Sequence, residues 1–168
     1  MTEVHWRSIA HQLTMKLKYQ HIKRQEKVDF VTRDWFKKVW RVDTLCGSMS
    51  SLPAMKSLGN QLEAHAACVL LPKESDIDWA STNTSKLTVL KKGFIDGHLA
   101  KIQSSDLVLI ANYTKNEIKG YIGPNTLMEI AFAYALNKPV VLLFDPGSQS
   151  CRLEVLSIAD RIIEGNIR

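Results

Sequence analysis

The amino-acid sequence predicts an α/β protein, a three-layer sandwich with a parallel sheet between helices, preceded by an N-terminal helical extension. Three observations lead there. The apolar runs Cys68-Val-Leu-Leu71, Asp106-Leu-Val-Leu-Ile-Ala111 and Pro139-Val-Val-Leu-Leu-Phe144 lack the alternation of a half-exposed strand, so both of their faces are expected to be buried. Helix-forming stretches separate these runs, as crossovers between parallel strands require. The chain has 168 residues, 45% hydrophobic and 23% charged, which suits a single domain able to bury a core.

Residues 2–40 contain neither glycine nor proline, and Trp6, Ile9, Leu13, Leu17, then Val28, Val31, Trp35 and Val39 recur at helical spacing. One long helix, or two joined within His21-Ile-Lys-Arg-Gln-Glu-Lys27, is expected as an extension over residues 1–42. Such a helix needs a partner, either the domain or a second copy of the chain. The α/β domain, residues 43–168, opens with a strand, Thr44-Leu-Cys46, running into the small-residue loop Gly47-Ser-Met-Ser-Ser51. Residues 52–66 read as a helix, and residues 68–71 as a strand stopped by Pro72. Residues 73–85 form a polar loop of the length typical of a lid or binding segment.

A second domain helix is expected over residues 87–103, weakened by Gly93 and Gly97, followed by the buried strand at 106–111 and a polar loop at 112–125. The next helix runs to about Leu136, the strand at 139–144 follows, and a helix at 153–159 precedes a short Ile162-Ile163 strand. In such sheets ligands bind at the carboxyl ends of the strands, where strand order reverses. The loops at 47–51, 72–85 and 112–125 converge there if the order is flavodoxin-like, a Rossmann-like arrangement, which is the expected topology.

Composition excludes several classes. No apolar run approaches the roughly 18–20 residues that span a bilayer, and the N-terminus lacks the apolar core of a secretory signal, so a cytoplasmic protein without membrane contact is expected. Three cysteines, Cys46, Cys68 and Cys151, stand at wide spacing without a C-x-x-C pair, which argues for reduced packing residues. No His/Cys/Asp/Glu set has metal-ligand spacing, and Walker and G-x-G-x-x-G patterns are absent, so no metal or dinucleotide cofactor is implied. The net charge of +5 arises in residues 1–43, with ten Lys/Arg against five Asp/Glu. Nucleic-acid binding through Lys16, Lys18, Lys23, Arg24 and Lys27 is conceivable, but a solvated helix face is favoured. Trp35, Phe36 and Trp40 suggest docking on the domain or in a homodimer or higher homo-oligomer.

The most informative stretch is Gly120-Tyr-Ile-Gly-Pro-Asn-Thr-Leu-Met-Glu129-Ile-Ala-Phe-Ala133. Gly123 and Pro124 supply a turn, and Asn125 or Thr126 is expected to cap the helix, leaving backbone N–H groups that suit an anion. Glu129 then falls among Leu127, Met128, Ile130 and Phe132, where an unpaired carboxylate is costly. It is the candidate nucleophile, the alternative being a carboxylate that caps the first helical turn.

Four pieces in order resemble the nucleoside 2-deoxyribosyltransferase superfamily, including its 2'-deoxynucleoside 5'-phosphate N-hydrolase branch, over roughly residues 43–144. They are Cys46-Gly-Ser-Met49, the aspartate within Phe94-Ile-Asp96-Gly-His98-Leu-Ala-Lys101, Ser105-Asp106-Leu-Val-Leu-Ile-Ala111, and Met128-Glu129-Ile-Ala-Phe-Ala133 followed by Asn-Lys-Pro. The resemblance implies cleavage of the N-glycosidic bond of a deoxyribonucleoside or its 5'-monophosphate, by hydrolysis or base transfer. It implies Glu129 as nucleophile and Asp96 as the second acid assisting the departing base. Gly47, Ser48, Met49 and Ser50 would meet the substrate's 5' end, with Asn112, Tyr121, Gly123 and Asn125 as further substrate contacts. Where the hydrolase branch carries a basic residue after Gly-Ser, this chain has Met49, Ser50 and Ser51, and Lys115 or Lys119 is the expected substitute.

For Lys101 an intrahelical ion pair with Asp96, and for His98 an ordinary core or surface histidine, are the plainer readings. Cys46 has no basic neighbour in sequence and reads as packing; Asp106 reads as a local cap. Two rival functions keep the same fold: an NAD or ribonucleotide glycohydrolase of a defence-type system, and a non-catalytic nucleotide-sensing or nucleic-acid-binding module.

Overall fold

The structure, a computed structural model, describes residues 41–64, 68–78 and 80–167. The N-terminal extension expected over residues 1–42 lies almost wholly outside the described residues. Five strands, β1 (Val42–Cys46), β2 (Cys68–Leu70), β3 (Leu107–Ile110), β4 (Val140–Leu142) and β5 (Arg161–Ile162), form one sheet in the order β2-β1-β3-β4-β5. Every pairing is parallel. This is the flavodoxin-like order expected, with its reversal between β1 and β3.

The helices α1 (Leu52–Leu62), α2 (Thr84–Ser104), α3 (Pro124–Ala135) and α4 (Arg152–Ile158) cover the two faces. Period-2 side-chain alternation divides the interior. Leu45, Leu107, Leu109, Val141 and Leu143 face α1 with its Leu52, Met55, Leu58 and Leu62. Cys46, Val108, Ile110, Val140 and Leu142 face the other way, toward Ile102 of α2, Ile130 and Ala133 of α3, and Val155 of α4. Burying each such aliphatic side chain stabilises the fold by about 1.5–3 kcal/mol relative to exposure. The continuous apolar runs are therefore strands with a core on each side.

The strands are aligned at their amino ends by two like devices. Asp106 accepts from the Val42 N–H at 2.8 Å through Oδ2 and donates its own N–H to the Val42 carbonyl at 2.8 Å. Asp160 treats Val140 in the same way, at 2.8 Å in both directions. Asp106, expected as a local cap, instead bonds through its carboxylate to Val42, 64 residues away on the neighbouring strand, and Ser105 caps the preceding helix. Beside it, Arg41 grips the buried Asp43 with two bonds, at 2.8 and 3.0 Å. Burial raises the Asp43 pKa, and the guanidinium pulls it back only in part.

Candidate active site

The reversal of strand order brings the carboxyl ends of β1 and β3 side by side, and the chain after each is held close. The Ala111 N–H bonds to the Cys46 carbonyl at 2.7 Å. A Cβ on Gly47 would stand 2.8 Å from the Ala111 carbonyl oxygen and 3.1 Å from Met55 Sδ, so only glycine lets the loop leave β1 here. Beyond it, Met49–Ser51 make a single 3-10 turn, and Ser48 and Ser50 hydroxyls lie 2.9 Å apart. Lys115 crosses from the loop after β3, donating to Ser48 Oγ at 2.9 Å with its ammonium 5.2 Å from the Tyr121 ring centroid.

That loop is fastened from behind. Asn112, buried, accepts from the Phe144 N–H at 2.9 Å and donates to the Phe144 carbonyl at 2.7 Å and the Gly120 carbonyl at 3.4 Å. Gln149 donates to the Gly120 carbonyl at 2.9 Å and accepts from the Ile122 N–H at 3.0 Å. Gly120 has φ +62°, and a Cβ there would strike the Asp145 carbonyl oxygen at 1.9 Å. The chain then enters α3 with Gly123 at the N-cap and Pro124 in the first turn. Asn125 and Thr126, expected to cap the helix, thus lie inside it, two and three residues past the N-cap. No acidic residue occupies that first turn, so Glu129, further along, is not a helix-capping carboxylate.

Glu129 meets side chains from two other elements. His98 Nε2, on α2, is 3.7 Å from Glu129 Oε1 and 3.3 Å from Cys46 Sγ at the end of β1. Cys46 also acts on the Glu129 carboxyl, favouring its ionised form. Desolvation raises the Glu129 pKa to about 7, against the opposing pull of the Cys46 thiol and the Lys91 charge. Desolvation lowers the His98 pKa to about 4, the Lys101 charge acting in the same direction and the Leu45 backbone opposing weakly. Burial pushes the Cys46 thiol well above its ordinary range, and the neighbouring Glu129 adds to the effect. Glu129 Oε2 and His98 Nδ1 are buried without a hydrogen-bond partner of ordinary geometry.

His98 and Glu129 line a cavity of about 670 Å³, and Cys46, fully buried, does not. Gly47, Ser48, Met49, Ser50, Tyr121, Gly123, Asn125 and Glu129, all singled out in the sequence, line it together. The segment Pro72–Ser75 closes one side, as expected of a long polar loop beside a site, and Phe94, Ile95 and Leu99 of α2 add apolar wall. Its size and mixed lining suit a ligand of nucleotide dimensions.

Two expected members stand elsewhere. Asp96 is exposed and ion-paired with Lys92 one turn earlier, and the residues of α2 that face the cavity are those around it, Lys91, Phe94, Ile95, His98 and Leu99. The helical repeat explains this, because two positions turn a side chain by about 200°. Lys101 accordingly has no bond to Asp96 and donates to the Leu71 carbonyl at 2.6 Å. Asn112 is a buried clamp between β3, β4 and the Gly120 loop, with its amide engaged by backbone. Sequence reading passed over His98 and Cys46 as catalytic partners. The one signal for His98 was its place two residues beyond an aspartate already suspected. Of the two lysines proposed to face an anion, Lys115 lines the cavity and Lys119 does not.

Among the described residues, one set of His, Cys, Asp or Glu side chains has three donor atoms converging, Cys46, His98 and Glu129, all within 4.8 Å of one another. They come from β1, α2 and α3, so no local spacing announces them. No described helix is long and apolar enough to cross a membrane.

No family model matches the chain, and no curated protein does. Among solved structures it is similar to a 2-deoxyribosyltransferase from the psychrotolerant bacterium Bacillus psychrosaccharolyticus, at 16% identity and a TM-score of 0.45, covering 70% of this chain and 82% of that one. It is also similar to a CMP N-glycosidase from Clostridium botulinum, at 17% identity and a TM-score of 0.41, covering 72% of this chain and 87% of that one.

Proposed function

We propose that the chain cleaves the N-glycosidic bond of a deoxyribonucleoside 5'-monophosphate or its nucleoside, with Glu129 as nucleophile. The observation that carries this reading is the Glu129 carboxyl itself, held in a nucleotide-sized cavity with one oxygen unpartnered and beside a second proton-carrying group. A buried carboxyl in an apolar wall has no structural use here that Gln would not serve better.

In this reading the Glu129 carboxylate attacks C1', forming a glycosyl ester as the C1'–N bond breaks with its electron pair leaving on the base. When Glu129 is protonated, it must first lose that proton, and His98 Nε2 at 3.7 Å can accept it. The resulting imidazolium can return the proton to the departing base, so the proton count closes without an external acid. Water or an acceptor base then attacks C1' and frees the carboxylate. His98 takes the role first assigned to Asp96.

Ser48, Ser50 and Lys115 offer two hydroxyls and an ammonium to the 5' end, supporting the monophosphate over the bare nucleoside. Tyr121, Phe94 and Ile95 provide flat and apolar surface for base or sugar.

The test is chromatography of free base released from deoxynucleosides, deoxynucleoside 5'-monophosphates, ribonucleotides and NAD, with and without an acceptor base. We expect release from a deoxynucleotide that falls by at least about 1000-fold in Glu129→Gln. Nicotinamide release from NAD alone would transfer the reading to a glycohydrolase of that substrate. No release from any donor would sink it.

A further inference from the structure

We propose that Cys46, His98 and Glu129 form a binding site for a borderline-soft divalent cation of the zinc class. Cys46 Sγ and His98 Nε2 are 3.3 Å apart, His98 Nε2 and Glu129 Oε1 are 3.7 Å apart, and all the donor atoms lie within 4.8 Å. A tetrahedral Zn²⁺, with bonds of about 2.3 Å to sulfur and 2.0–2.2 Å to nitrogen and oxygen, sets donor–donor edges of about 3.3–3.7 Å. The Cys46–His98 and His98–Glu129 separations already have this spacing, and the third edge, Cys46 to Glu129, is within 4.8 Å.

The donor types argue for the same class of ion. A thiolate, an imidazole and a carboxylate are the three side chains that zinc takes, whereas magnesium and calcium prefer oxygen alone. Three protein ligands leave a fourth position, and His98 and Glu129 both line the cavity from which water or a ligand would fill it. Binding expels the thiol proton of Cys46, and the carboxyl proton of Glu129 where present, to solvent; no oxidation state changes.

The consequence for activity rests on the function proposed above. A cation held by Glu129 withdraws the nucleophile, so zinc is expected to inhibit base release. The binding itself does not depend on that reading.

The experiment is a titration of the untagged, chelator-stripped full chain with Co²⁺ followed by Zn²⁺. The expected result is one equivalent of Co²⁺ with a thiolate-to-cobalt charge-transfer band and tetrahedral ligand-field absorption, displaced by Zn²⁺. The band should vanish in Cys46→Ser and persist in Cys68→Ser/Cys151→Ser. His98→Gln and Glu129→Gln should each weaken binding by at least about tenfold, and they carry the test should Cys46→Ser not fold. Absence of a thiolate band in the wild type, or unchanged affinity in both His98→Gln and Glu129→Gln, overturns the proposal. Base release measured on the same samples separates the two ideas: metal binding without any glycosidase activity leaves this site standing and removes only the function proposed above.

Discussion

His98 Nε2 lies 3.7 Å from Glu129 Oε1, and burial drives their proton affinities across one another, the carboxyl to about 7 and the imidazole to about 4. At pH 7 the metal-free site therefore keeps the ring neutral, while the carboxyl stands near the midpoint of its titration instead of being fully ionised as an ordinary glutamate is.

Glu129 raises the pH sensitivity of folding. Its pKa is raised from 4.5 to about 7, so its penalty is absent below about pH 4.5, where folded and unfolded chains are both protonated. The penalty grows through that window and is complete above about pH 7. Glu129→Gln is expected to stabilise the metal-free protein by about 2–3 kcal/mol at pH 8 and by almost nothing at pH 4, while activity is lost. Urea denaturation at a series of pH values in the presence of chelator measures this; a pH-independent difference contradicts it.

His98 acts with the opposite sign. Its pKa is lowered from 6.5 to about 4, so the folded chain binds fewer protons than the unfolded one between these values. Stability from this group is full above about pH 6.5 and is lost as pH falls toward 4. His98→Gln should remove that loss, gaining about 2–3 kcal/mol on the wild type at pH 4 relative to pH 7. In activity, His98→Gln should lower kcat by about 100-fold or more, whereas Asp96→Asn, exposed and paired with Lys92, should leave it within about twofold. Equal losses in the two variants would return Asp96 to the mechanism.

Lys115 distinguishes phosphorylated from bare substrates. Its ammonium sits on the Ser48 hydroxyl and beside Tyr121, at the cavity wall formed by the loop after β1. Lys115→Met should raise KM for a deoxynucleoside 5'-monophosphate by about 10–100-fold and leave the unphosphorylated nucleoside unaffected. Lys119→Met, away from the cavity, should change neither. Steady-state kinetics on both substrates decide, and an equal loss on both would show that Lys115 only shapes the loop.

Arg41 and Asp43 form a buried pair, 3% and 1% exposed, so neither charge can turn to water if the other is removed. Arg41→Met should cost about 3–5 kcal/mol in denaturant unfolding, and Arg41→Met/Asp43→Leu should recover most of it. A double variant as unstable as the single one would mean that the pair itself, rather than its desolvation, sets the stability at the amino end of β1.

Strand identity was legible because burial on both faces leaves no room for polar alternation. Leu107–Ile110 is buried at every position, and its side chains divide between the two cores. The runs and their crossover helices called for a parallel sheet, and the flavodoxin-like order expected among the parallel arrangements is the one that brings the three loops together. Element ends were less legible, since a cap such as Gly123 competes with Asn125 and Thr126, which are good caps in isolation.

By itself the sequence determined the parallel α/β architecture, the loops that meet at the β1–β3 reversal, and Glu129 as a carboxyl with no apolar justification. Those depend on local pattern and composition, which the chain carries in linear order. Only the tertiary structure decided which neighbours Glu129 has. The phase of α2 turns His98 inward and Asp96 outward, and the end of β1 brings Cys46 within 3.3 Å of His98, 52 residues away. A helical period leaves the absolute phase free until the apolar face of α2 meets the sheet, and on α2 only His98 and Ile102 are buried to set it. Packing on β1 and α3 supplied the rotation, and with it the chemistry of the site.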